Sequence, residues 1–348
     1  MPQSSREIVE RAIRFENPER LPRDHWVLPW AEIHYPDDLA RIRERFPTDF
    51  STVEFYYEPS SRVRGDAYKR GHYTDEWGCT FKNLQDGIIG EVKEPILPDM
   101  ADYKSVRPPY EQLPEDRQRA YDTISRLYAE TDKFVLANIC PRPWERYQFI
   151  RGTENALVDI MFPDDGARGL LKVIHDFYLA ELEFWARSDV DALFFMDDWG
   201  SQDQLLIRPA LWREIFKPLY RDYCEIAKAH GKFVFMHSDG YITDIYPDLI
   251  EIGVNVLNSQ LFCMDLVEIE EIARGKITFW GEIDRQHILQ SKNPQDGRDA
   301  VRQVAKHLYD PRGGLIAQCE IGSGTNPETA HAVYDEWERV QAEEYQRE

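Results

Sequence analysis

Apolar positions along this 348-residue chain gather into eight short runs of β character, and from Tyr110 onward each run is preceded by a stretch of helical period. Short runs of aliphatic and aromatic residues read as buried strands, and apolar residues at helical spacing read as the helices that cover them. Strands are predicted at Asp24–Leu28, Phe50–Phe55, Lys133–Ile139, Asp191–Asp198, Lys232–His237, Val254–Gln260, Ile277–Ile283 and Gly313–Cys319. Helices are predicted at Glu115–Glu130, within Glu145–Arg187, and at Pro209–His230, Ile242–Ile252, Leu266–Arg274, Pro294–Tyr309 and Pro327–Glu343. A capped amphipathic helix, from Ser4 or Ser5 to Phe15, opens the chain with Val9 and Ile13 on one face. Strand–helix alternation builds parallel sheet, and eight units predict an α/β protein closed into a (β/α)8 TIM barrel.

Tyr56 to Pro109 interrupts the alternation. It is rich in Tyr, Gly, Asp and Pro, with β-like pieces at Trp77–Phe81 and Ile88–Val92. We read it as a cap or lid inserted after the second strand of one domain spanning residues 1–348, since a long ordered insertion more often shapes a pocket than fills space.

Composition narrows the partners. Lys and Arg number 42 against 63 Asp and Glu, a formal charge of −21. That excess disfavours a nucleic-acid partner, which needs clustered cations, and suits a protein handling small molecules. The five cysteines contain no CxxC pair, no amino-terminal leader pattern is evident, and no apolar run reaches membrane-spanning length. The expectation is a reduced, cytoplasmic protein without a membrane partner.

The strand ends carry the candidate chemistry. Side chains two apart on a strand share a face. Phe235, His237 and Asp239 therefore point together, and Gly240 frees the chain to turn. Leu315, Ala317 and Cys319 share a face, as do Glu282 with Asp284 and Asn258 with Gln260. Asp197, Asp198 and Trp199 end the fourth run. In a parallel barrel these tips meet at one mouth. Imidazole, carboxylate and thiolate from His237, Asp239 and Cys319 would make a Zn²⁺ site with an open position. Trp26, Trp30, Trp77 and Trp199 would line an apolar pocket, with Asn258 and Gln260 as polar contacts to substrate. The plainer readings are a satisfied core histidine at 237, a small core cysteine at 319, helix caps at Asp197 and Asp198, and tryptophans that pack helices onto the barrel.

These residues lie in stretches that resemble the uroporphyrinogen decarboxylase-like superfamily, which includes the decarboxylase and the cobalamin-linked methyltransferases. The matching stretches are Ser5 to Pro22, Asp198-Trp-Gly-Ser-Gln202, Pro209 to Pro218, His237-Ser-Asp-Gly240, Asp248 to Val254, Leu257-Asn-Ser-Gln260 and Gly281-Glu-Ile-Asp-Arg-Gln286. True decarboxylases carry an arginine-rich amino-terminal motif and a Gly-His-Gly near the last strand. Here Leu21 to Trp30 has one arginine, and Gly322-Ser-Gly324 stands in the second place. The resemblance is therefore closer to the methyltransferase branch, whose zinc ligands come from a His-x-Cys at the fifth strand and a Cys near the eighth. It implies His237, Asp239 in place of the second cysteine, and Cys319 as ligands. A carboxylate is a harder ligand than a thiolate, which would either turn the site away from thiol substrates or leave it without zinc.

The leading expectation is metal-assisted transfer of a methyl group from a small methylated substrate, such as an aryl ether, to or from a corrinoid protein. Asp198, Asp239, Glu282 and Asp284 would serve the acid–base steps. The chain has no D-x-H-x-x-G corrinoid loop, so cobalamin would sit on a separate partner. The alternatives are a metal-free decarboxylase of a small acid and a non-catalytic binding barrel. A homodimer would match the habit of relatives.

Overall fold

A computed structural model describes residues 2–345 and contains twelve strands among them. In chain order these are β1 (Trp26–Val27), β2 (Phe50–Thr52), β3 (Gly71–Thr74), β4 (Thr80–Asn83), β5 (Glu91–Val92), β6 (Phe134–Leu136), β7 (Ala192–Met196), β8 (Phe233–Ser238), β9 (Val256–Ser259), β10 (Thr278–Trp280), β11 (Leu315–Ile316) and β12 (Glu320–Ile321). Seven of them lie side by side, all parallel, in the order β11-β10-β9-β8-β7-β6-β2. Beside this sheet β1 pairs with β12, and Arg23 bridges to Ala317. On its other side the Asp49 amide donates to the Arg23 carbonyl at 2.8 Å. The ring thus closes as an eight-stranded TIM-type barrel, with β11 and β12 as two halves of the eighth strand.

The helices follow the pattern of the sequence with local differences. Glu145–Arg187 resolves into three helices, Pro143–Arg151, Thr153–Met161 and Asp165–Ala186. Pro209–His230 breaks at Phe216 into Pro209–Ile215 and Lys217–Ala229, because Pro218 in the second helix has no N–H to give the turn before it. Two helices at Pro29–His34 and Pro36–Arg45 lie where none is predicted; each begins with proline, which suits a first helical turn as well as a break. Most barrel strands are shorter than their predicted runs, since the last residues leave the ladder to enter the loops, but β8 keeps six residues, shifted one place to Phe233–Ser238.

The helix Ser5–Arg14 closes the amino-terminal end of the barrel. Ser4 and Glu7 form a reciprocal cap, and Val9 and Ile13 enter the barrel floor beside Phe50, Phe134, Phe235, Val256, Trp280 and Ile316. A side chain at Gly313 would place its Cβ 2.4 Å from the Ala12 carbonyl oxygen, so the start of the eighth strand needs glycine to meet this helix.

Within residues 56–109, β3, β4 and β5 form a small antiparallel sheet. It rests on the helices after the third strand. Trp77 meets Phe177 edge-on at 5.3 Å, Arg146 pairs with Asp75 and Glu76, and the Leu97 amide donates to the Ile150 carbonyl. Among the described residues no helix is long and apolar enough to cross a membrane, and all five cysteines are unpaired.

Candidate active site

Strand parity decides what enters the barrel. On β7 the inward residues run Ala192, Phe194, Met196 and then Asp198; on β8 they run Phe235, His237 and then Asp239. On β9 Val256 is followed by Asn258, and on β10 Trp280 is followed by Glu282. On the eighth strand the inward series is Ile316, Gln318 and Glu320.

At the mouth, His237 Nε2 lies 3.5 Å from Asp198 Oδ1 and 3.4 Å from Asp239 Oδ1. His237 Nδ1 contacts Asn258 Oδ1 at 2.5 Å, while Asn258 Nδ2 donates to the Trp280 carbonyl. A carbonyl only accepts, so the amide must turn its oxygen to the ring, and Nδ1 carries the hydrogen. Nε2 is left facing the two carboxylates. The ring of Trp26 lies 5.0 Å from the imidazole.

The loops after β7 and β8 hold this spacing. The Asp239 amide donates to Asp198 Oδ1, and the Gly200 amide donates to the Asp239 carbonyl. A Cβ at Gly240 would lie 2.2 Å from the Gly200 carbonyl oxygen, and φ at Gly240 is +77°, so only glycine lets the two loops touch. Gln260 Oε1 accepts from the Gly240 amide and braces the same turn.

Arg285 spans the other side. It pairs with Asp239, donates to Glu320 Oε2 at 2.7 Å, and stands 3.7 Å from Glu282 Oε1. Burial disfavours the charged imidazole of His237, but the Asp198 contact and the Asp239 charge prevail and lift it to about 10. Burial raises Asp198 too, yet the His237 contact more than offsets this and leaves it below the ordinary value. Burial pushes the Glu282 carboxyl up to about 8 against the pull of Arg285. Glu320 and Glu145 are raised, chiefly by burial. Four buried atoms here lack hydrogen-bond partners: Asp239 Oδ1, Glu282 Oε2, Gln318 Nε2 and Glu145 Oε2. Unmet polar atoms at depth cost free energy, which a ligand at the mouth would recover.

Asp198, His237 and Asp239 offer ligand atoms within 4.8 Å of one another. A tetrahedral zinc ion with bonds of about 2.0–2.2 Å sets its ligand atoms roughly 3.3–3.6 Å apart. The 3.4 and 3.5 Å spacings to Nε2 fit that edge, and the Nδ1 contact is the outer support that orients a ligating histidine.

Cys319 does not join this set. Leu315, Ala317 and Cys319 share a face, as the sequence implies, but that face is the outer one. Cys319 is fully buried between strand and helix, its thiol against the Tyr334 hydroxyl, and burial pushes it up to about 12. The inward place is taken by Gln318. Trp199 is corrected for the same reason. One residue past Asp198, it points outward, stacks on Trp144 at 5.4 Å and donates to the Tyr220 hydroxyl. Asp197, also outward, accepts from the Trp144 and Glu145 amides and caps the helix Pro143–Arg151. Asp284 Oδ1 accepts from the Gln286 and His287 amides and shapes the turn after β10. Trp30 stacks on His34, and Gly87 of the inserted segment lies against its backbone. Trp77 belongs to that segment and is buried against Phe177 of the helix Asp165–Ala186.

Arg285, Glu320, Gln318, Glu145 and Arg142 were not singled out from the sequence as site residues. The signal for Glu320 and Gln318 was their parity with Ile316. No sequence signal marked Arg142.

A parallel eight-stranded barrel whose mouth joins a buried histidine to two carboxylates defines a barrel enzyme class rather than a single reaction. The uroporphyrinogen decarboxylase (URO-D) family model matches residues 74–340, and the chain belongs to that family. A methyltransferase from Methanosarcina mazei has a similar structure, with a TM-score of 0.70 at 11% identity, covering 97% of this chain and 99% of the other. Native xylanase 10B from Thermotoga maritima aligns over 98% and 99% of the two chains with 12% identity and a TM-score of 0.46. No curated protein sequence matches the chain.

Proposed function

We propose that the protein transfers a methyl group between a small methylated substrate and a separate corrinoid protein, using a metal ion at Asp198, His237 and Asp239. The observation that carries this reading is the placement of His237 Nε2, with the ring fixed by Asn258, between two carboxylate oxygens at the spacing of a tetrahedral ion's ligands. The similarity to the Methanosarcina mazei methyltransferase supports it. Bound at these groups, zinc would supply Lewis-acid polarisation of a substrate oxygen. The protein's own groups do the rest. Trp26, against the imidazole of His237, gives an apolar wall for the methyl-bearing group. As the C–O bond breaks, the departing oxygen keeps the bonding pair and takes a proton. Glu282, protonated below about 8 and with Oε2 unpartnered, is the donor we assign. Asp239 stays oriented by Arg285. Residues 56–109 would shape the entrance and the surface that the corrinoid protein meets.

The test is methyl transfer from methylated compounds to added cobalamin, with zinc-loaded and chelated protein. Zinc-dependent turnover is expected; full activity without metal would remove the metal from the proposal. A metal-free decarboxylase remains the second reading, because His237 already holds its positive charge through Asp198 and Asp239. Release of CO₂ from small acids without any corrinoid would favour it.

A further inference from the structure

Arg142 follows the third strand, beside the inward face of β7. Its Nη2 donates to the Cys140 thiol at 3.3 Å and the Met196 thioether at 3.1 Å. Sulfur is a weak acceptor for a guanidinium that offers five donors. The carboxylate beside it is Glu145, whose Oε2 stands 3.6 Å from Nη1, outside hydrogen-bond range, and is itself buried without a partner. The other mouth cations each face two carboxylates, whereas Arg142 has the one looser ion pair with Glu145. His237 has Asp198 and Asp239, and Arg285 has Asp239 and Glu320. Among the described residues, Arg142 is thus a cation of the mouth whose side-chain hydrogen bonds go to sulfur, held on Met196, two residues before Asp198. Glu145 also lies close enough to Asp198 and His237 to feel their charges.

We propose that Arg142 binds the carboxylate of the substrate, so that the substrate is a small monocarboxylic acid whose reacting end reaches His237. The guanidinium fork matches a carboxylate in bidentate fashion. A dianion such as a phosphate ester would meet Asp198, Asp239, Glu320 and Glu145 with one extra charge, while the other mouth cations among the described residues, His237 and Arg285, are already engaged by two carboxylates each. The proposal rests on the methyl-transfer reading only for the choice of a methylated acid; the anion site itself serves either reaction.

The test is equilibrium binding by calorimetry, which needs no turnover. The zinc-loaded protein is titrated with acetate, benzoate, 4-methoxybenzoate and the uncharged 4-methoxybenzamide. The expected result is 4-methoxybenzoate bound about tenfold or more tightly than its amide. Arg142→Gln should remove that preference by weakening the acid alone, and Arg142→Lys should keep part of it. A purely structural arginine would alter both ligands together. If Arg142→Gln fails to fold, the acid-to-amide ratio of the unaltered protein and of Arg142→Lys still decides. Equal binding of acid and amide, no binding of any of the three acids at millimolar concentration, or a preference that survives Arg142→Gln would overturn the proposal. Acid preference without methyl transfer would leave this site standing and remove the methyl-transfer reading; methyl transfer without acid preference would do the reverse.

Discussion

The floor and the mouth of this barrel are built from the same eight strands and the same inward-facing parity, yet they obey opposite rules. At the floor, Phe50 meets Phe134 at 5.6 Å and Trp280 at 6.2 Å, and the first helix adds Val9 and Ile13. Two residues further along, the inward positions become Met196, His237, Asn258, Glu282 and Gln318, with Asp198 one inward step beyond Met196. There, buried charges crowd together and several atoms lack partners. The floor gains from excluding water. The mouth spends part of that gain to keep polar groups unsatisfied and ready for a ligand.

Substitutions that separate the two layers should show the largest effects. His237→Gln is expected to lower kcat/KM about a thousandfold, because it removes the ion-holding nitrogen, and to lower the unfolding midpoint of the metal-free protein as well, because it takes away the cation between Asp198 and Asp239. Turnover kept within about tenfold of the unaltered protein would count against a mouth specialised for chemistry. Phe134→Ala should cost about 3–5 kcal/mol in denaturant unfolding while the folded fraction keeps its turnover.

Glu282→Gln is expected to lower kcat about a hundredfold and to abolish the loss of rate as pH rises through about 8. The linkage has the same sign. The folded carboxyl keeps a proton that the unfolded chain sheds above its ordinary 4.5, so its contribution to stability is present below 4.5 and lost as pH rises through about 8. Urea melts from pH 5 to 9 should therefore slope less in the glutamine variant. Zinc must displace the proton of His237, so chelator competition should show affinity rising about tenfold per pH unit up to about 10. The smallest effect is expected at Cys319→Ser, where zinc affinity should stay within about twofold; loss of a true ligand would exceed the 10–100-fold cost of even an outer-shell partner.

Much of the barrel was legible in the chain. The eight apolar runs, the alternating helices and the glycine at 240 follow from local pattern, and His237, Asp239, Asp198 and Asn258 fall at the mouth as strand ends should. The inserted segment announced itself by composition, though not by its three-stranded sheet. The misplacements share one cause. Cys319 and Trp199 sit one residue off the inward series, and period two makes a one-residue error a change of face.

The amino-acid order by itself determined the strands, the helices that cover them and the chemistry available at each strand end, because those depend on neighbours within a few residues. Only the closed ring decided which face of the eighth strand looks inward, that Gln318 rather than Cys319 enters the mouth, and that Arg285 reaches Asp239 and Arg142 reaches Met196. Those outcomes depend on register between strands far apart in sequence, such as Trp26 opposite Glu320 and Met196 opposite His237. Register is set by closure and by packing against the helices, which no local stretch encodes.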